Sequence, residues 1–274
     1  SAASNEALKA EYIPKIIDGS CLGSFAFLER QSRFEIADIA TSAVVSDAGF
    51  TLNGEKTVVF NAATANSLIV AARTSGDQFD PQGISLFMVD AASPGINIDS
   101  YKTMDGQSAA TVSFNDVQVS DSQLLGAVGQ GMTIVDQVMP QILMALSAEA
   151  LGIMATLNTI TVDYTKTRQQ FGTPISSFQA LQHRMVDTFM ACEQSKSLLY
   201  RGLCAATEVA QNPQADSLEL QKSAHALKAT VAKYGKLIGE EAIQIHGGIG
   251  ITDELNIGHY VKRLMTINVT FGDG

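Results

Sequence analysis

Cysteine is scarce in this chain. The three that occur (Cys21, Cys192 and Cys204) are odd in number and show no CxxC spacing, which excludes a disulfide framework and a paired-cysteine zinc site. The four histidines (His183, His225, His246 and His259) contain no HxxxH pair, so a zinc hydrolase is excluded as well. Positive charge is also short: 18 Lys and Arg stand against 28 Asp and Glu, a net charge of −10 over 274 residues. That balance repels phosphate backbones and argues against nucleic acid as a partner, while leaving room for a local basic pocket. No uninterrupted run of 18 apolar residues occurs, so no membrane span is expected. The opening SAASNEALKAEYIPKI lacks a basic region followed by an apolar stretch and is not a secretory signal. A cytoplasmic location is the expectation. There is no GxSxG elbow, and the carboxylates Asp116, Asp121, Asp136, Glu240 and Glu241 are scattered.

What is present is a hydrophobic share of 46% against 17% charged residues, enough for a sizeable core in two domains. The two halves carry different periods. The opening reads as a short helix with Leu8, Tyr12 and Ile16 on one face. A strand is expected over 36–45, a hairpin turn at Asn53-Gly54, and further strands over 67–74, 83–90 and 110–119. Short strands at this spacing predict a small antiparallel β-barrel or sandwich. From Gly129 apolar residues recur at helical spacing, and four helices are expected over 130–167, 177–210, 215–245 and 253–266. The second stops at Asn212-Pro213 and the third at Gly247-Gly248. The fold class is therefore α+β: a β-domain followed by an antiparallel four-helix bundle. The expected divisions are 1–20 (a connecting helix), 21–126 and 127–274.

Two turns draw attention as sites. In RQQFGTPISSFQALQH (168–183) an Arg ends a helix and a Gly-Thr-Pro turn leads into the next helix, where guanidinium and free N–H groups can both donate to a phosphate. An Arg that only offsets the helix dipole reads the same way. In QIHGGIGIT (244–252) paired glycines let a backbone or ligand approach closely, though a helix C-cap uses the same residues. His246 reads as a hydrogen-bonded structural histidine rather than a catalytic one.

Together with GHYVKRL (258–264), these segments resemble the acyl-CoA dehydrogenase family, in order and in separation. LNGEKTVVFNAATANSLIVAART (52–74) and GQGM (129–132) agree, and the likeness runs from about Glu11 to Phe271. The resemblance implies FAD as cofactor, desaturation of an acyl-CoA across Cα–Cβ, and a β-domain and four-helix bundle preceded by a helical domain absent here. It implies that Arg168, Gln170, Phe171, Ile175, Gln179, Gln244, Gly247 and Gly248 hold the ADP portion of a neighbouring subunit's FAD. The two positions that hold the catalytic Glu in relatives are read here as Asn268 and Ile142, with Leu143 beside the second, and neither side chain accepts a proton. The flavin-contacting stretch of the β-domain departs too, with Leu28-Glu29-Arg30, Arg33-Phe34-Glu35 and Phe60.

The chain is thus similar to the base-less subunit of bacterial α2β2 steroid-side-chain acyl-CoA dehydrogenases. Its implied partners are a homologous catalytic subunit and electron-transfer flavoprotein, with the chain alone inactive and no catalytic residue of its own. Two alternatives stand beside this. One is a competent homo-oligomer with a displaced base, Glu149 or Asp273; the other is a cofactor-free scaffold.

Overall fold

The computed structural model describes residues 5–47, 49–212 and 216–273. The chain divides into two compact units, Ser1–Val138 and Met139–Gly274.

The first unit opens with α1 (Glu6–Ile17), started by Asn5, whose side chain accepts the Leu8 N–H at 3.1 Å. Of the apolar face expected here, Leu8 is buried, Tyr12 is half-buried and Ile16 is exposed. Asn5 also donates to the carbonyls of Ser122 and Leu124, tying the helix start to the end of the sheet.

Eight strands follow: β1 (Gly23–Ala26), β2 (Ser42–Ser46), β3 (Gly49–Phe60), β4 (Ser67–Arg73), β5 (Ile84–Asp90), β6 (Ile96–Lys102), β7 (Ser108–Val119) and β8 (Leu124–Leu125). They form one sheet in the order β6-β7-β3-β2-β4-β5-β8, with β1 also on β4. The antiparallel expectation needs correction at two places, since β1 and β2 both run parallel to β4. Leu52, Leu68, Val70, Phe87, Val89, Val112, Phe114 and Val117 build the core. Phe114 and Val117 both point inward although three residues apart. A bulge carries the extra residue there: the register shifts between Leu52 and Gly54, and Asp116 takes φ 52°.

That bulge also corrects the hairpin expected at Asn53-Gly54. The dipeptide lies inside β3, where the Asn53 side chain exchanges two hydrogen bonds of 2.9 Å with Asp116. Gly54 has φ 148°, and a Cβ there would lie 2.6–2.8 Å from Thr41 atoms, so close backbone approach is what requires glycine. The hairpin closes instead at Ser46 and Gly49. Asp47-Ala48-Gly49 reads in the sequence as a turn signal, and of it Ala48 lies outside the described residues.

The strand expected over 36–45 is confined to Ser42–Ser46. Residues 37–41 form a loop because their backbone groups are taken by side chains. The carboxylate of Glu29 accepts the N–H groups of Ala40 and Thr41 at 2.8 and 3.0 Å. The guanidinium of Arg73 donates to the carbonyls of Ala37 and Ile39 at 2.9 Å each. Behind this loop Lys56 meets Glu29 at 2.7 Å, both nearly inaccessible. Burial pushes the Glu29 pKa up, but the charge and hydrogen bond of Lys56, with the bonds from Thr41 and Gln31, outweigh it and bring it to about 2. Burial brings Lys56 down to about 8 against the opposing pull of Glu29.

Helices dominate the second unit: α2 (Gly131–Thr167), of which the residues from Met139 onward belong here, α3 (Gln179–Gln211), α4 (Leu218–His246) and α5 (Ile257–Val269). All four expected helices are present with ends moved by a few residues. Pro213, half of the expected stop after α3, lies outside the described residues. Leu143, Met154, Leu157, Leu227, Val231, Ile238 and Ile267 are buried. Polar contacts fix neighbours: Tyr234 donates to Gln194 at 2.8 Å, Asn158 to the Thr188 carbonyl at 3.2 Å, and Arg201 pairs with Glu219 at 2.5 Å.

One helix, α2, bears on the membrane expectation. Gln141, Ser147 and Glu149 interrupt any unbroken apolar run, yet by length and composition this helix is apolar enough to cross a membrane. Of its most apolar window, 44% is buried inside the protein.

Candidate functional site

The end of α2, the start of α3 and the end of α4 meet at one corner of the second unit. Tyr164, one turn before Arg168, stacks on His246 with ring centroids 4.2 Å apart, and its hydroxyl donates to the His246 carbonyl at 3.3 Å. His246 Nδ1 lies 2.8 Å from the Ala242 carbonyl, and burial holds its pKa below the usual imidazole value, opposed by that hydrogen bond. The histidine is therefore a structural one, as the sequence reading has it. Its task is to fasten Arg168 and its hairpin to the loop that carries Gly247 and Gly248. A second fastener, Arg184 to Glu241 at 2.5 Å, holds the start of α3 to the end of α4. Sequence reasoning missed Tyr164 and Arg184 because each looks like an ordinary helix residue until its partner arrives.

The segment after Arg168 is a tight hairpin, β9 (Gln169–Gln170) against β10 (Thr173–Pro174). Its two turn residues, Phe171 and Gly172, both have positive φ, 55° and 80°. Such a turn is native to glycine or asparagine, and a bulky aromatic in it carries strain of about 1–3 kcal/mol. Phe171 is also 93% exposed, touching the edge of Phe178 at 6.2 Å between centroids. A strained, solvent-facing Phe has no rationale in the packing of its own chain.

The other candidates behave as follows. Arg168, Gln170, Gln179 and Gln244 are exposed, and their side chains take no hydrogen bond or ion pair among the described residues. Arg168 keeps its backbone engaged, donating to Tyr164 O and accepting from Ile175 N at 2.8 Å, which leaves the guanidinium free above a rigid turn. Ile175 departs from the set: it is buried and supports the corner from beneath. No side chain caps the start of α3 at Phe178; the Leu181 and Gln182 N–H groups donate to the Phe178 carbonyl, and the amides of Gln179 and Ala180, which take no bond among the described residues, remain open to an anion. Gly247 closes α4 with φ 66°. A Cβ on Gly248 would meet nothing within 4 Å, so the chain's own packing does not demand glycine there. An unpaired guanidinium, open helix amides and a glycine facing empty space are a donor set and cradle that fit a diphosphate.

Proton-accepting groups are placed differently. Ile142 is half-buried on α2, and Asn268 lies in the last turn of α5 with Oδ1 buried and without a hydrogen-bond partner. Glu149 has both oxygens committed to Arg263, at 2.6 and 2.8 Å, a bidentate pair that joins α2 to α5. In the first unit Glu29 is spent on Lys56 and the 37–41 loop, and Phe60 ends β3, its carbonyl accepting from Ser24 at 2.5 Å. Among the described residues no cluster of three His, Cys, Asp or Glu could hold a metal ion.

Comparison with known proteins agrees with this layout. The domain described as "Acyl-CoA dehydrogenase, C-terminal domain" matches residues 129–274, and "Acyl-CoA dehydrogenase, middle domain" matches residues 24–117. A curated relative, L-prolyl-[peptidyl-carrier protein] dehydrogenase of Serratia sp., is 29% identical over 268 residues, which is 97% of this chain and 67% of the relative. The structure of butyryl-CoA dehydrogenase from Megasphaera elsdenii superposes with a TM-score of 0.89 at 26% identity, covering 99% of this chain and 70% of that one. The structure titled "PigA with FAD and proline" gives 0.90 at 26%, covering 99% and 69%. The chain spans about two thirds of the length of these relatives. With one family domain matching more than half of its length and a second matching most of the sheet, the chain belongs to the acyl-CoA dehydrogenase family.

Proposed function

We propose that this chain is the non-catalytic subunit of a hetero-oligomeric, FAD-dependent acyl-CoA dehydrogenase, and that it lends half of a flavin site to a homologous subunit carrying the base. The observation that carries the reading is a contrast within one unit: an unpaired Arg168 over a rigid hairpin and an open Gly248, against Asn268 and Ile142 where the family's base is expected. When bound, FAD supplies the acceptor for a hydride from the acyl β-carbon. The residues of this chain bind and orient it. Arg168 and the first amides of α3 neutralise the diphosphate, Gln179 and Gln244 offer hydrogen bonds to its ADP end, and Gly247 and Gly248 admit it without a Cβ in the way. Phe171, exposed at the hairpin tip, would add an apolar contact to the cofactor's ADP end.

The proton transfer falls to the partner. An amide at 268 has no useful basicity, and Glu149 is held by Arg263. In this reading the substrate is a CoA thioester of a sterol side chain, the assembly is an α2β2 tetramer, electron-transfer flavoprotein takes the electrons, and the complex is cytoplasmic. These finer assignments follow the family resemblance.

The test is purification of the chain alone and together with the homologous subunit encoded beside it. Flavin and turnover are expected in the complex and neither in the lone chain. Stoichiometric flavin and acyl-CoA turnover from the lone chain would overturn the reading in favour of a competent homo-oligomer.

A further inference from the structure

Asn53-Gly54 is the one Asn-Gly dipeptide in the sequence. Such a pair is especially prone to spontaneous deamidation, since glycine leaves its amide nitrogen unshielded and its backbone free to turn toward the asparagine side chain. In this chain the pair lies inside β3. The Asn53 amide is gripped at both ends: Nδ2 donates to the Asp116 carboxylate and Oδ1 accepts the Asp116 N–H, each at 2.9 Å. The Asn53 backbone carbonyl accepts from Ser42 Oγ at 3.3 Å, and Gly54 is in ladder register with Phe114. Asp116 reaches its partner through a φ of 52°, and its own carbonyl accepts from Gln118 Nε2 at 3.1 Å.

We propose that Asn53-Gly54 is a spontaneous modification site guarded by Asp116, whose two hydrogen bonds hold the Asn53 amide away from the Gly54 nitrogen and slow deamidation there. The reaction begins when the Gly54 amide nitrogen gives its proton to solvent and attacks Asn53 Cγ. An N–Cγ bond forms, the Cγ–Nδ2 bond breaks, and ammonia leaves behind a succinimide ring. Water then opens either ring C–N bond. Opening at Cγ gives an aspartate, and opening at the former Asn53 backbone carbonyl gives an isoaspartate. One water enters and one ammonia departs, with no oxidant or reductant.

The first step is the one the fold opposes. In a strand the side chain stands roughly perpendicular to the sheet while the backbone N–H lies in its plane, which keeps Asn53 Cγ and the Gly54 nitrogen apart. The clamp fixes that direction, because turning the Asn53 side chain toward Gly54 breaks both bonds to Asp116 at once, one of them to a charged acceptor. Once the change has occurred it sustains itself. A carboxylate at position 53 has no N–H to give, so the bond to the Asp116 carboxylate cannot re-form and two like charges face each other across the strands. This inference is independent of the flavin reading above.

The test is peptide mapping by mass spectrometry of the full chain aged at mildly alkaline pH, folded in buffer or unfolded in guanidinium chloride, with aspartate and isoaspartate at position 53 counted. Conversion in the folded natural chain is expected to be slower than in the unfolded one by more than about tenfold, since strand and clamp act together. Asp116→Gly suits the positive φ and removes the carboxylate alone, so it should fold and convert about tenfold faster than the natural chain, the scale of one charge-assisted hydrogen bond. Asp116→Asn keeps the shape and trades the charge for a weaker acceptor, and an intermediate rate is expected. A folded natural chain that converts as fast as the unfolded one, or an Asp116→Gly chain no faster than the natural one, overturns the proposal. If Asp116→Gly fails to fold by far-UV circular dichroism, Asp116→Asn decides, and a rate no higher than the natural chain's then overturns it.

Discussion

Lys56→Met is expected to cost about 3–5 kcal/mol of stability at neutral pH, because it leaves the carboxylate of Glu29 buried without its counter-charge. The loss should spread beyond the pair. Glu29 holds the N–H groups of Ala40 and Thr41 as well as Lys56, so a displaced carboxylate frees the loop that leads into β2. Replacing both partners, as Lys56→Met with Glu29→Gln, should cost less than the single change, since no naked charge is then left inside. The pH dependence follows from the sign of the shift. Glu29 sits near 2 in the folded chain against an ordinary 4.5, so its contribution is fully present above 4.5 and is lost as pH falls through 2. The gap between the natural chain and Lys56→Met should therefore narrow in acid. Urea unfolding at about pH 7 and about pH 3 measures it. A deficit under about 1 kcal/mol at neutral pH, or one that ignores pH, would show that the pair contributes little.

Arg168→Ala is expected to leave the fold unchanged and to strip flavin from the assembled complex. The side chain is exposed and takes no partner among the described residues, so its removal should alter stability by no more than about 0.5 kcal/mol. Against a diphosphate screened from water by a neighbouring subunit, a guanidinium contributes about 2–5 kcal/mol, roughly 30-fold to several-thousand-fold in Kd. Gly248→Ala makes a useful companion, because its new Cβ meets nothing in this chain and can obstruct only something that arrives from outside. Flavin content and Kd of the complex, read from absorbance and fluorescence titration, give the result. Undiminished flavin in both variants would favour a scaffold that binds no cofactor.

The helices were legible in the linear order of residues because their signal is local. Apolar spacing near 3.6 places α2 to α5 within a few residues of where they lie, and Gly247 marks the end of α4 as a glycine cap should. The segments at 168–179 and 244–248 were also readable, as an Arg, a turn and paired glycines. The sheet was harder. Asn53-Gly54 carries the strongest short-range hairpin signal available, yet the facing bulge at Asp116 and the close approach of Thr41 claim it for a strand interior. Nothing local distinguishes those outcomes. The stretch at 36–41 looked like a strand because its residues are small and apolar, and became a loop because Glu29 and Arg73 took its hydrogen bonds.

By themselves, then, the residues determine the family, the succession of sheet and helices, and the absence of a carboxylate at the two positions read as the base's. Only tertiary structure decides that Glu29 belongs to Lys56, that Glu149 is bound to Arg263, and that Tyr164 stacks on His246 to bring the two candidate turns together. The physical reason is range. Helical periodicity and turn chemistry act over a few neighbouring residues, whereas an ion pair or a ring stack joins groups 27, 114 or 82 positions apart and leaves no pattern along the chain until folding makes them neighbours.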